Sequence, residues 1–136
     1  MARTRTGSRP NFNKQIIESL TSAATLEAKD SGRLFMLNSA TGFTTTLPAA
    51  EIGMKFSFVV DIGSTDGNLK ITVGDAADYF YGRVVVFDNA DDKLASQIVV
   101  KATAAAAPTS YDVITLDGDS NNSGGDVGST IEIQCV

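Results

Sequence analysis

Apolar and polar residues alternate along most of this chain with the period of two that a half-buried strand requires, and clusters of Gly, Asp, Asn and Ser break the alternation. MKFSFVVD, residues 54–61, is the clearest case. Met54, Phe56, Phe58 and Val60 fall on one face and Lys55, Ser57 and Asp61 on the other, with Val59 the apolar exception, as in a half-buried antiparallel strand. Before it, RLFMLN (33–38) reads as a short, largely apolar strand, and FTTTL (43–47) as another after a Ser-Ala-Thr-Gly turn. Pro48 has no amide proton to continue a ladder and Gly53 supplies permissive geometry, so residues 44–60 read as strand, stop, loop and strand, a hairpin.

Further strands are expected at LKITV (69–73), after the turn GSTDGN, and at YFYGRVVVF (79–87), where Gly82 marks a bulge or a close backbone approach. QIVVKAT (97–103), YDVITL (111–116) and TIEIQCV (130–136) complete the set, joined by DNADDK, residues 104–108 and the acidic loop DGDSNNSGGDVGS. The start of the chain differs. Ile16, Ile17, Leu20 and Ala24 recur at helical spacing with Asn11 or Asn13 as a cap, predicting a short helix, while ATLEAKDSG reads equally as a first strand entering a turn at Asp30-Ser31-Gly32. About eight short strands without a long helical pattern predict an all-β fold: an antiparallel β-sandwich or jelly-roll-like domain over residues 16–136, with a closed barrel as the related form. No internal repeat is expected.

Charge adds an asymmetry. Arg3, Arg5, Arg9 and Lys14 precede the first acid, Glu18, so residues 1–17 carry four positive charges and the net charge of −5 leaves −9 for the rest. Residues 1–15 are read as an extended basic arm that orders only on a partner. Arg3, Arg5, Arg9 and Lys14 would meet an acidic protein surface there, the arginines through charge-assisted hydrogen bonds, with Phe12 as an apolar anchor. Nucleic acid is not the expected partner, because an acidic body repels a polyanion. No apolar run approaches the roughly 20 residues of a membrane span, and MARTRTGSRPNFNKQ lacks the apolar core of a signal peptide, so no membrane partner or export is expected.

Reaction chemistry is sparse. The absence of histidine excludes a Ser-His-Asp or Cys-His arrangement, and Cys135, the single cysteine, excludes an intrachain disulfide or a multi-Cys metal cage. Asp117, Asp119 and Asn121 have the D-x-D-x-N spacing of a calcium loop, yet Asn122 and Gly128 stand where an EF-hand needs Gly and Glu, so a solvated Asx-turn loop is expected. Asp91 and Asp92 are adjacent and point apart in an extended chain, which does not make an acid and base pair. Gly124-Gly125-Asp126-Val127-Gly128 lacks the strand-to-helix setting of a phosphate loop, and the Asn121-Asn122-Ser123 sequon carries little weight without a secretory signal. No catalytic residue, cofactor or metal is expected, and the chain is not read as an enzyme.

The run DSGRLFMLNSATGFTTTLPAAEIGMKFSFVV covers 31 of 136 residues. It resembles small virion structural proteins of tailed bacteriophages, in which a Ser-Gly turn leads to an apolar strand, a threonine-rich strand ending in Leu-Pro-Ala and a strand of the form G-x-x-F-x-F-x-V. The segment Gly125-Asp126-Val127-Gly128-Ser129-x-Ile131-Glu132 is similar as well. The resemblance implies a capsid decoration, or cement, protein: an all-β module on the outer surface of the head that clasps neighbouring major capsid protein subunits as a homotrimer. It supplies no catalytic residue. Tyr79, Tyr81 and Val85 are the residues expected to contribute to self-association, and the arm to contact the capsid. The alternative is a tail or head-fibre β-module that binds a host receptor or glycan through exposed aromatics such as Tyr79, Tyr81 and Tyr111.

Overall fold

The computed structural model describes residues 15–80, 82–88, 93–100, 112–117 and 125–136, and of residues 82–88, 93–100 and 117 the backbone alone. The arm residues Arg3, Arg5, Arg9, Phe12 and Lys14, together with Tyr81, Asp91, Asp92, Tyr111, Asp119 and Asn121, lie outside the described residues.

Among the described residues there are ten strands: β1 (Ile17–Leu20), β2 (Ala24–Thr25), β3 (Leu34–Asn38), β4 (Phe43–Thr46), β5 (Lys55–Ile62), β6 (Asn68–Thr72), β7 (Gly82–Asp88), β8 (Lys93–Val100), β9 (Val113–Asp117) and β10 (Thr130–Gln134). They form a first sheet ordered β1-β3-β5-β10, a second ordered β2-β4-β6-β9, and a separate two-stranded ribbon, β7-β8. The all-β expectation holds, but the antiparallel jelly-roll does not. β1, β3 and β5 run parallel, as do β2, β4 and β6, and antiparallel pairing enters the two larger sheets only where β10 joins β5 and β9 joins β6.

The cause is the way the chain alternates. Each of the first six strands crosses to the other sheet instead of turning back beside its predecessor, so strand pairs stack as rungs. FTTTL and MKFSFVVD are therefore not a hairpin: β4 lies in the second sheet, β5 in the first, and Pro48 and Gly53 sit in the corner between sheets. A corner of this length lets the chain cross from one layer to the other, whereas a tight two-residue turn would have forced antiparallel pairing.

Among the described residues the short helix is absent as well, and β1 occupies its place, with Leu20 buried and Ile16 and Ile17 exposed. Ile17 to Leu20 instead pair in register with Leu34 to Leu37. Inter-strand bonds outweigh a helical spacing carried by a segment rich in Ser and Thr, which favour helices weakly. A 3-10 turn, Ala28–Asp30, then leads into the expected Ser31-Gly32 turn.

The core lies between the two larger sheets. Leu20, Phe35, Leu37, Phe56, Phe58 and Val60 enter it from the first sheet and Leu69, Ile71 and Leu116 from the second, with Leu26, Leu47 and Met54 at the corners. Phe35 and Phe58 are register partners on adjacent rungs, with stacked rings 5.5 Å apart. Burying each such side chain contributes about 2–3 kcal/mol. Thr45 is also fully buried, and its Oγ1 has no hydrogen-bond partner among the described residues.

Rung-to-rung contact fixes the corners. Thr65 N and Asp66 N both donate to Ala40 O, at 2.9 and 3.0 Å, and the buried Ser64 hydroxyl donates to the same carbonyl at 3.3 Å. Gly67 has φ +96, and a Cβ there would stand 2.8 Å from Thr41 O, so the stacking of these corners requires glycine. On the opposite corner Arg33 Nη1 bridges Glu18 Oε2 at 2.8 Å and Asp30 Oδ1 at 3.0 Å, tying edge strand β1 to the turn.

Candidate interaction surface

The burial pattern divides each larger sheet into an inner and an outer face. In β3, Phe35 and Leu37 are buried, which turns Leu34 and Met36 outward; in β5, buried Phe58 and Val60 turn Val59 outward. Register brings these residues together. Ile17 lies beside Leu34, and Met36 beside Val59, so Ile17, Leu34, Met36 and Val59 form a contiguous apolar patch across β1, β3 and β5. Ile17, at the open edge of the sheet, is 60% exposed, and the other three are partly exposed.

Polar groups frame the patch. Ser19 and Ser57 continue its rows, Lys55 Nζ meets Glu132 Oε1 at 2.7 Å, and Asn38 Nδ2 donates to Asp61 Oδ2 at 3.0 Å. Apolar positions on both faces of β3 and β5 are the pattern of strands covered on both sides, as parallel strands generally are.

The second sheet's outer face has a different chemistry. Thr25, Thr46 and Thr72 stand in one row across β2, β4 and β6, followed by Val113 of β9, and the next row carries Thr44, Lys70 and Thr115. Hydroxyls and one ammonium suit water, and threonine also favours the strand.

Of the expected association residues, Tyr79 is described as 62% exposed, one residue before Phe80, which packs against the core. Val85 lies in β7 at the register position opposite Gln97. The apolar patch on the first sheet escaped sequence reading, although its signal was present. The consecutive apolar residues of LFML and Val59's departure from strict alternation both mark an apolar outer face.

Among the described residues, no group of three His, Cys, Asp or Glu side chains is placed to hold a metal, and no helix is long and apolar enough to cross a membrane, which leaves strand-built spans unaddressed. Lys29 is held above its ordinary pKa, first by its hydrogen bond to Glu27 and then by that residue's charge, on a fully exposed surface. No family model matches the chain, and neither a curated protein nor a solved structure does.

Proposed function

We propose that the protein is a structural module of a tailed-phage virion, a decoration protein that binds the outer surface of the head and cements neighbouring major capsid protein subunits. The observation that carries this reading is the apolar outer patch of the first sheet, formed by Ile17, Leu34, Met36 and Val59 on strands anchored in a tightly packed core. Such a surface supports association between copies, and association multiplies the weak capsid contacts of each arm by avidity.

The resemblance supports the same reading. Its two segments, far apart in the chain, are neighbours in the first sheet: β10 pairs with β5, Val60 N donates to Ser129 O, and Gly128 N donates to Val60 O. The arm's arginines then supply the capsid contact and the homotrimer supplies the valency. The exposed Tyr79 ring favours a second reading, a tail or head-fibre module that binds a host receptor or glycan.

Quantitative mass spectrometry of purified particles separates these. A copy number comparable to that of the major capsid protein is expected. A few copies per particle would support the fibre reading, and absence from particles would overturn both.

A further inference from the structure

Among the described residues, β1 is the edge strand that leaves large aliphatic side chains exposed on both of its faces. Leu34 N donates to Ile16 O at 2.9 Å, so Ile16, Glu18 and Leu20 turn their backbone groups toward β3. The N–H and C=O groups of Ile17 and Ser19 therefore point to the open side, where the sheet has no further strand among the described residues. Ile17 projects from the outer face and Ile16 from the opposite one, 60% and 61% exposed.

The other ends of the two larger sheets differ. On β10 the exposed positions are Thr130, Glu132 and Gln134, while Ile131 and Ile133 pack against the core. β2 is two residues long, and on β9 Ile114 packs against the core and Leu116 is buried in it. Short or polar edges discourage pairing with another chain, whereas an apolar edge with unpaired backbone groups is a template for it.

We infer that β1 pairs antiparallel with β1 of a second copy about a two-fold axis at Ile17, so that the first sheets of two copies join edge to edge. The inference goes beyond the virion reading and stands without it. A two-fold contact joins copies in pairs, whether or not copies are also arranged in threes.

Register selects the second copy. In an antiparallel pair, residues whose backbone groups point outward exchange both hydrogen bonds, so Ile17 and Ser19 must meet residues of that kind. Ile17 opposite Ser19 would set the two Glu18 carboxylates directly across from each other, which is unfavourable. Ser19 opposite Ser19 would spend the centre of the contact on two small polar side chains and leave Ile17 against the exposed Thr21.

Ile17 opposite Ile17 avoids both. Gln15 then pairs with Ser19, and Ile16 lies across from Glu18, whose carboxylate is already held by Arg33 at 2.8 Å. Because Ile17 is the register partner of Leu34, the outer row runs Leu34, Ile17, Ile17, Leu34 across the axis, and the apolar patch of each copy continues into that of the other. A strand of different sequence would supply the backbone bonds without this self-matching row. One pair of short strands covers less than the roughly 800 Å² per partner of a standard interface, so the dimer is weak and forms at high concentration.

The test uses the full chain in solution. Sedimentation equilibrium over a concentration series should show a reversible equilibrium between monomer and dimer. Ile17→Lys should weaken it by about tenfold or more. Ile52→Lys adds the same charge at a residue 90% exposed in the corner before β5, two strands from the edge, and should leave it unchanged. Circular dichroism checks the fold of each variant. If Ile17→Lys does not fold, Ile17→Thr carries the same expectation with a smaller loss.

In a Cys135→Ser background, Ile17→Cys should form a disulfide between copies on mild oxidation, because hydrogen-bonded antiparallel partners stand about 5.5 Å apart at Cα, within disulfide reach. Thr46→Cys should not. A monomer at all concentrations, an equal loss in Ile17→Lys and Ile52→Lys, association indifferent to both Ile17 variants, or Ile17→Cys that cross-links to Glu132→Cys copies and not to itself would each overturn the inference. Dimers of a protein absent from particles would overturn the virion reading alone, and a monomer abundant in particles would overturn this inference alone.

Discussion

The two larger sheets are built from the same rungs and share one core, yet their outer faces differ. The first sheet turns Ile17, Leu34, Met36 and Val59 outward, and the second turns out Thr25, Thr44, Thr46 and Thr72. Rung stacking alone therefore does not require an apolar exterior, because the threonine face stacks equally well. The apolar patch is therefore no requirement of the rungs, and it is the feature on which the proposed association rests. A sheet that needs only water outside can use threonine, which keeps β propensity without exposing a contiguous apolar surface.

The inner faces differ too, and the largest expected effect lies there. The first sheet contributes Phe35, Phe56 and Phe58, all buried, whereas the second places Thr45 among aliphatic residues. Phe58→Ala should cost about 3–5 kcal/mol, because it removes one ring of a stacked pair at the centre of the first sheet. Urea unfolding measures this, and a loss below about 1 kcal/mol would mean that the rungs do not share the core described.

Thr45→Val tests the second sheet in the opposite direction. The buried Oγ1 has no partner among the described residues, so replacing it with a methyl group should stabilise the chain by about 1 kcal/mol, read as a higher urea midpoint at unchanged slope. Destabilisation would show that the hydroxyl holds a partner such as water. Success would sharpen the comparison, since the second sheet then carries a defect on its inner face and an ordinary hydrated surface outside.

How much of this was legible in the chain depends on the length scale of the signal. The inward set Met54, Phe56, Phe58 and Val60 was readable from alternation, because burial of one face is a local, period-two property, and all four are buried. Parallel stacking was not. Ile17 pairs with Leu34 and Leu34 with Ser57, while Ala24 pairs with Thr45 and Phe43 with Leu69, so the rungs have unequal lengths and leave no fixed period to detect. Pro48 ends a strand whether the chain then folds back or crosses to another layer. At Ile16, Ile17, Leu20 and Ala24 the spacing suited a helix, and only pairing with β3, a non-local fact, decides for a strand. The outer patch was half legible: Val59 stood out as an exception to alternation, but its neighbours Leu34 and Met36 meet it only through register.

A smaller effect concerns the open edge of the patch. Arg33→Gln removes the bridge from Glu18 on β1 to Asp30 in the turn, and these side chains are only partly buried, so the loss should be about 0.5–1 kcal/mol and should shrink as salt is added. Comparing wild type and variant in low and high salt measures it. A loss of several kcal/mol would make this corner, and not the packed rings, the main support of the first sheet.

The smallest effect should come from Thr46→Glu, at the centre of the threonine row, where Thr46 lies between Thr25 and Thr72. A carboxylate on a hydrated outer face leaves the core untouched and stands diagonally across from Lys70, whose register partner is Thr44, so the unfolding free energy should move by no more than about 0.5 kcal/mol. A small change in stability accompanied by loss of attachment to particles would place a contact on the second sheet. The difference between the two outer faces would then divide two binding surfaces, and the threonine row would no longer stand for a face that meets only water.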